Sequence, residues 1–282
     1  MKSNVHFSHL PIMPEEILRL LLIHPDGVYV DGTAGGGGHS LKIGTLLSAN
    51  GRLICNDLDP EALAACRKRL AGLACRVDLI HGDFASLPQK LNCGLDGVLL
   101  DLGVSSYQLD CAERGFSYQQ QAPLDMRMDQ TAGETAADVI NRLEQNELER
   151  IFRKYGEERY AARIAAVICR ERQYNAITTT LELVDLIKRA LPGQALREKQ
   201  HPAKRVFQAI RIYVNKELDQ IRLALDAFLP VLNPGGRIAV LTFHSLEDRI
   251  VKTTFARYEN PCTCPPDFPV CVCGKHSLGK VI

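Results

Sequence analysis

The stretch that most constrains this chain is Val28-Tyr-Val-Asp-Gly-Thr-Ala-Gly-Gly-Gly-Gly-His-Ser40, where β-branched residues and an acid run into glycines and then a helical pattern. Val28 and Val30 suit a core strand that Asp31 closes, and the glycines permit backbone angles and close ligand approach that a Cβ forbids. Such a strand, turn and helix make a nucleotide-type loop. About 25 residues on, Arg52-Leu-Ile-Cys-Asn-Asp-Leu-Asp-Pro60 reads as a second short strand ending in acid, at the offset of a ribose-binding carboxylate. The two halves together are far more specific than either alone.

The pattern repeats. Val77–Ile80 and Leu95–Leu100 read as third and fourth strands, ending in His81-Gly-Asp-Phe84 and Asp101-Leu-Gly-Val-Ser-Ser106. Helices are expected over 11–23, 39–49 and 61–70, with Asp59 ahead of Pro60 as an N-cap. Strands alternating with helices, with acids and glycines at the strand ends, describe an α/β doubly wound parallel sheet whose ligands sit at its carboxyl edge. From 111 to about 200 no strand pattern persists, and 135–155, 157–174 and 180–191 carry helical spacing. The sheet pattern resumes with a helix over 207–229, the turn Asn233-Pro-Gly-Gly236, a strand over 237–241 and a helix over 246–258. The expected organisation is a Rossmann-like sheet domain (1–110 and 207–258), an inserted all-helical substrate-recognition subdomain (111–206) and a cysteine-rich segment (259–282).

With 282 residues and 46% hydrophobic content, the chain can bury a sizeable core. No apolar run is long enough to span a bilayer, and the N-terminus lacks a secretion pattern, so a cytoplasmic location without membrane contact is expected. Of the 10 cysteines, six are scattered singly and four crowd into Cys262–Cys273, which suits reduced thiols plus one local site. A net charge of +1 confines any nucleic-acid contact to local patches.

On the residues alone, Asp57 would accept from ribose hydroxyls, and the amides of Gly37, Gly38 and His39 would lie under the charged end of the ligand. Asp83 and Phe84 suit an adenine, or equally a turn aspartate beside a core ring. The glycines nominally contain a dinucleotide spacing, which keeps a nicotinamide-dependent (NAD(P)) oxidoreductase as an alternative. The acid at the strand end and the late Pro-Gly-Gly-Arg instead resemble methyltransferases that use S-adenosylmethionine.

A closer resemblance lies in longer motifs. Gly37-Gly-His-Ser40, Leu100-Asp-Leu-Gly-Val-Ser-Ser106, Ala112-Glu-Arg-Gly-Phe-Ser117, Pro123-Leu-Asp-Met-Arg-Met-Asp129, Tyr155-Gly-Glu-Glu-Arg159, His201-Pro-Ala-Lys-Arg-Val-Phe-Gln-Ala-Ile-Arg211 and Phe243-His-Ser-Leu-Glu-Asp-Arg249 together resemble the bacterial small-subunit ribosomal RNA methyltransferase H family, also called MraW. The resemblance implies a class I methyltransferase that methylates a cytosine amine at the decoding centre of small-subunit ribosomal RNA, within the small ribosomal subunit. It implies cofactor contacts at Gly37, Gly38, His39, Asp57, Phe84, Asp101 and Gln108. Tyr107 departs from the pattern, standing where many relatives have proline.

A cytosine amine has its lone pair delocalised into the ring, so the site must hold it in line and accept its proton. Asp101 is the expected acceptor, with Ser105 and His244 as further catalytic candidates; methylation at ring carbon would need a cysteine in this loop, and the loop has none. Seven basic residues against three glutamates over 150–172 read best as a solvated face. Lys204, Arg205 and Arg211 are the better phosphate candidates. Cys262, Cys264, Cys271 and Cys273 could hold zinc, with an unligated proline-stiffened loop equally open and a disulfide pair third. A non-catalytic ribosome-assembly factor is the remaining alternative, against which the intact loop and Asp57 argue.

Overall fold

A computed structural model describes residues 11–265, 270 and 272–282; His6, His9 and Cys271 lie outside the described residues. The chain runs α1 (Pro14–Leu21), β1 (Val28–Asp31), α2 (Gly38–Gly44), β2 (Arg52–Asp57), α3 (Pro60–Leu70), β3 (Arg76–His81) and β4 (Leu95–Asp101). It continues through α4 (Ser106–Asp110), α5 (Ala136–Arg142), α6 (Gln145–Gly156), α7 (Ala161–Glu171), α8 (Thr180–Ala190), α9 (Gly193–Leu196), α10 (Lys204–Asn215) and α11 (Glu217–Phe228). It closes with β5 (Leu232–Leu241) and α12 (Ser245–Glu259).

The five strands form one parallel sheet in the order β3-β2-β1-β4-β5. Chain order reverses between β1 and β4, so the crevice of an open α/β sheet falls at their carboxyl ends. Alternation within each strand divides the side chains between two faces. Tyr29, Leu53, Cys55 and Leu99 pack under α1, α2 and α3, while Val30, Ile54, Val98 and Leu100 pack under α11 and α12. Asp59 caps α3 as expected, accepting from the Glu61 amide at 3.0 Å.

A separate apolar cluster holds the helical unit, with Val139, Ile151, Phe152, Ile164, Ile168, Leu183 and Ile187 all buried. Two of its helices begin with reciprocal capping boxes, at Thr135 and Thr179, and the Glu147 carboxylate accepts the Glu144 amide at the start of α6. The structure corrects several expectations here, beginning with 135–155, which forms two helices, α5 and α6, broken at Leu143 and Glu144. Residues 207–229 form two helices, broken at Lys216 with φ +53. The expected boundary at 206/207 also cuts through α10, whose Val206, Phe207, Ala209 and Ile210 belong to the helical cluster. Packing returns to the sheet at Ile212 and Leu218, on either side of the Lys216 break. The helix expected over 39–49 ends at Gly44, where a Cβ would stand 2.3 Å from Leu73 Cδ1.

Candidate active site

The glycine turn is shaped by β1 and α2. Gly35 and Gly37 have φ of +51 and +80, and a Cβ on Gly37 would press on Cys66 Sγ at 3.1 Å. Gly32 must be small for a different reason: a Cβ there would come 2.5 Å from Leu100 Cδ2, beside Phe84. Asp31 anchors the turn to the helix, accepting from Ser40 Oγ at 2.6 Å. Burial raises the Asp31 pKa to about 6, against the Ser40 hydrogen bond.

Asp57 ends β2 and accepts the Gly35 amide at 2.7 Å and the Asp59 amide at 2.8 Å, one on each oxygen. It keeps a little exposed surface, yet burial raises its pKa to about 6 against those two bonds. Asp59 is fully buried and ion-paired to Arg114 Nη1 at 2.7 Å. The other Arg114 guanidinium nitrogen donates to the carbonyls of Arg127 and Met128, which locks the 111–129 loop against α3.

Gln108 joins the same cluster. Its Nε2 donates to Asp59 at 3.0 Å and its Oε1 accepts the Ser105 amide at 3.1 Å. The Ser105 hydroxyl accepts the Gln108 amide as the N-cap of α4, which shapes the loop. Tyr107, inside that short helix, donates to Glu61 at 3.1 Å. Asp83 closes its own turn by accepting the Ser86 amide and hydroxyl, so the turn reading describes it; Phe84 is half-buried beside the strand ends.

Asp101 stands at the end of β4. Its amide donates to Thr33 Oγ1 at 2.6 Å, and its Oδ2 lies 3.6 Å from His39 Nε2. Burial, with the nearby Glu247 charge, raises its pKa to about 6, and burial lowers that of His39. Asp101 Oδ1 and His39 Nε2 are both buried without a hydrogen-bond partner, as is Asn56 Oδ1. Arg114 Nε, Gln220 Oε1, His244 Nε2 and Glu247 Oε1 are others, but the Asp101, His39 and Asn56 atoms belong to residues at the carboxyl edge of the sheet, where open α/β sheets place their crevice.

His244 lies behind Asp101. Its Nδ1 accepts the Glu247 amide as the N-cap of α12, and Nε2 is 3.2 Å from Glu247 Oε1. Burial works against the Glu247 charge, but His244 and the Phe243 amide hold its pKa below the usual range. His244 therefore fixes Glu247, whose charge acts on Asp101. Arg211, expected on RNA, is also corrected: its guanidinium turns inward to grip Glu217, at 2.9 and 2.7 Å. Burial opposes the Arg211 charge, and the Glu217 carboxylate keeps the pKa above its ordinary value. Lys204 is exposed and Arg205 half-buried at the opposite end of α10, about 10 Å away along the axis.

Asn56 and Thr33 carry no recognisable motif, yet they tie the site together. Asn56 Nδ2 donates to the carbonyls of Gly32 and Gly82, and Thr33 accepts from Asp101, so the loops after β1, β3 and β4 share side-chain bonds. The only sequence signal was their place next to acids at strand ends. Of the cysteine cluster, Cys262, Cys264 and Cys273 come together in the C-terminal segment.

Known proteins point the same way. A likeness to NSun6 from Pyrococcus horikoshii covers 87% of this chain and 41% of that one, at 15% identity and a TM-score of 0.42. A SAM-dependent O-methyltransferase from Thermotoga maritima matches over 32% of this chain and 34% of that one, at 17% identity and a TM-score of 0.29. Neither is close enough to carry an argument. The relatives are much nearer: proteins named ribosomal RNA small subunit methyltransferase H from Symbiobacterium thermophilum and Pelobacter propionicus are 53% and 52% identical. Each alignment covers 98% of this chain, and 88% and 90% of the relatives respectively. With the MraW methylase family matching residues 6–282, the chain belongs to that family.

Proposed function

We infer that this protein is an S-adenosylmethionine-dependent methyltransferase that modifies the exocyclic amine of a cytosine in the decoding centre of small-subunit ribosomal RNA. The observation that carries the reading is the pair of partnerless buried atoms, Asp101 Oδ1 and His39 Nε2, beneath the glycine turn at the sheet's switch point. Family membership favours neither a nicotinamide oxidoreductase nor a protein without catalysis.

The residues fit the cofactor by their chemistry. Each Asp57 oxygen accepts one amide and retains a lone pair for a ribose hydroxyl. Phe84 offers a ring for an adenine, and Gly37, Gly38, His39 and Gln108 complete the expected wall. When bound, S-adenosylmethionine supplies an electrophilic methyl group on a sulfonium.

The protein's own part is acid–base and positional. With a pKa of about 6, Asp101 is mostly a carboxylate at neutral pH and accepts an N–H of the target amine. That hydrogen bond draws the nitrogen lone pair out of conjugation, and Asp101 then takes the proton the nitrogen sheds as it is alkylated. His39, kept neutral by burial, leaves the acid free to do so. A base must be exposed or flipped to reach such a cleft, and Lys204 and Arg205 are the proposed phosphate contacts that hold its strand. The helical unit is the proposed RNA-recognition part.

The test is transfer of radiolabelled methyl groups to isolated small subunits, followed by mapping of the modified nucleotide. Label on the amine of one cytosine supports the reading. Label on ring carbon, or no transfer of label to the subunits, overturns it.

A further inference from the structure

We propose that Cys262, Cys264 and Cys273 form a metal–thiolate site, suited to zinc, that fastens the C-terminal segment to the end of α12. The three sulfurs lie within 4.8 Å of one another, with Cys262 and Cys273 3.8 Å apart. Thiolates bound at about 2.3 Å on the corners of a tetrahedron stand about 3.8 Å apart, which the Cys262–Cys273 pair matches, with the third sulfur near enough to close on the same ion. The Val272 amide donates to Cys264 Sγ at 3.3 Å, which orients that sulfur.

The surrounding chain has little else to hold it. Val270, Val272, Leu278 and Ile282 are exposed and belong to no apolar cluster. Among the described residues, hydrogen bonds run from the Leu278 amide to the Tyr258 carbonyl and from the Val281 amide to Glu259, at 2.9 and 3.1 Å, joining the segment to α12. A segment that cannot build a core is one that a metal commonly stabilises. A second trio, Glu217, His244 and Glu247, is equally close, but the Arg211 guanidinium already supplies its positive charge. Binding a divalent ion at the cysteines exchanges three thiol protons for three metal–sulfur bonds.

The test uses the full chain purified under reducing conditions, with elemental analysis, cobalt(II) substitution and limited proteolysis. About one zinc per chain is expected, along with a near-ultraviolet thiolate-to-cobalt charge-transfer band. Cys264→Ser and Cys273→Ser should each lose both, whereas Cys169→Ala, in the helical unit, should keep both. Chelation should speed cleavage beyond Tyr258 while the rest of the chain resists. Wild-type protein without bound metal, zinc retained by the Cys264→Ser/Cys273→Ser double variant, or a Cys262–Cys273 disulfide in the intact mass would each overturn the site. These readouts are independent of methyl transfer, so failure here leaves the proposed function standing.

Discussion

The helical unit and the sheet edge are built to different standards. In the helical unit the apolar cluster is closed, helices carry reciprocal caps, and among the described residues from 136 to 206 no buried side-chain polar atom lacks a hydrogen-bond partner. At the sheet edge, His39, Asn56 and Asp101 each bury one that does, and Asp31, Asp57 and Asp101 all have pKa values raised to about 6. One region is satisfied by itself, and the other is completed by what binds to it. Stability and activity should therefore respond to mutation in different places.

The sharpest way to break that contrast is Asp101→Ala. Methyl transfer should fall by about 10²–10⁴-fold while RNA binding and thermal unfolding stay near wild type; equal loss of transfer and binding would reject Asp101 as the proton acceptor. Phe152→Ala, in the helical cluster, should do the reverse. It should lower unfolding free energy by about 3–5 kcal/mol in denaturant titration, with transfer per folded molecule retained at low temperature. Below pH about 6, transfer should decline about tenfold per unit, because protonated Asp101 no longer accepts. A flat single-turnover profile from pH 5 to 7 would remove Asp101 from the proton path.

Lys204→Gln with Arg205→Gln should weaken RNA binding by about tenfold and reduce the salt slope by about 0.7 for each phosphate left without its cation, and an unchanged slope would exclude phosphate contact. The smallest effect has the opposite sign. A raised carboxylate pKa gives stability that is present below the unfolded value and lost as pH rises through about 6. Asp101→Asn should thus be more stable than wild type by about 1–2 kcal/mol at pH 7, with the gap closing toward pH 4. A variant less stable at both pH values would mean that the acid supports the fold.

The ends of β1 to β4 were legible because each carries an acid or a glycine where the backbone needs one, and Asp59 declared itself as a cap through Pro60. Lys216 was not, since a non-glycine residue at positive φ inside an apolar-periodic stretch leaves no mark in sequence. Arg211 was legible in principle. It lies four positions after Phe207 and so shares that residue's buried face, but its place in a basic motif outweighed the periodicity. Ser105 and Gln108 also form a capping box at the expected spacing of three. Asn56 stayed hidden because its partners, the Gly32 and Gly82 carbonyls, come from distant loops that only the closed sheet brings near.

The bonds of Asn56 to the Gly32 and Gly82 carbonyls reach past the residues they join. Because one amide group stitches two rims of the cleft, neither rim can drift alone, and a lesion there would loosen the whole mouth at once. Tolerance to change around this opening is therefore collective: its walls stand, or slacken, as one frame.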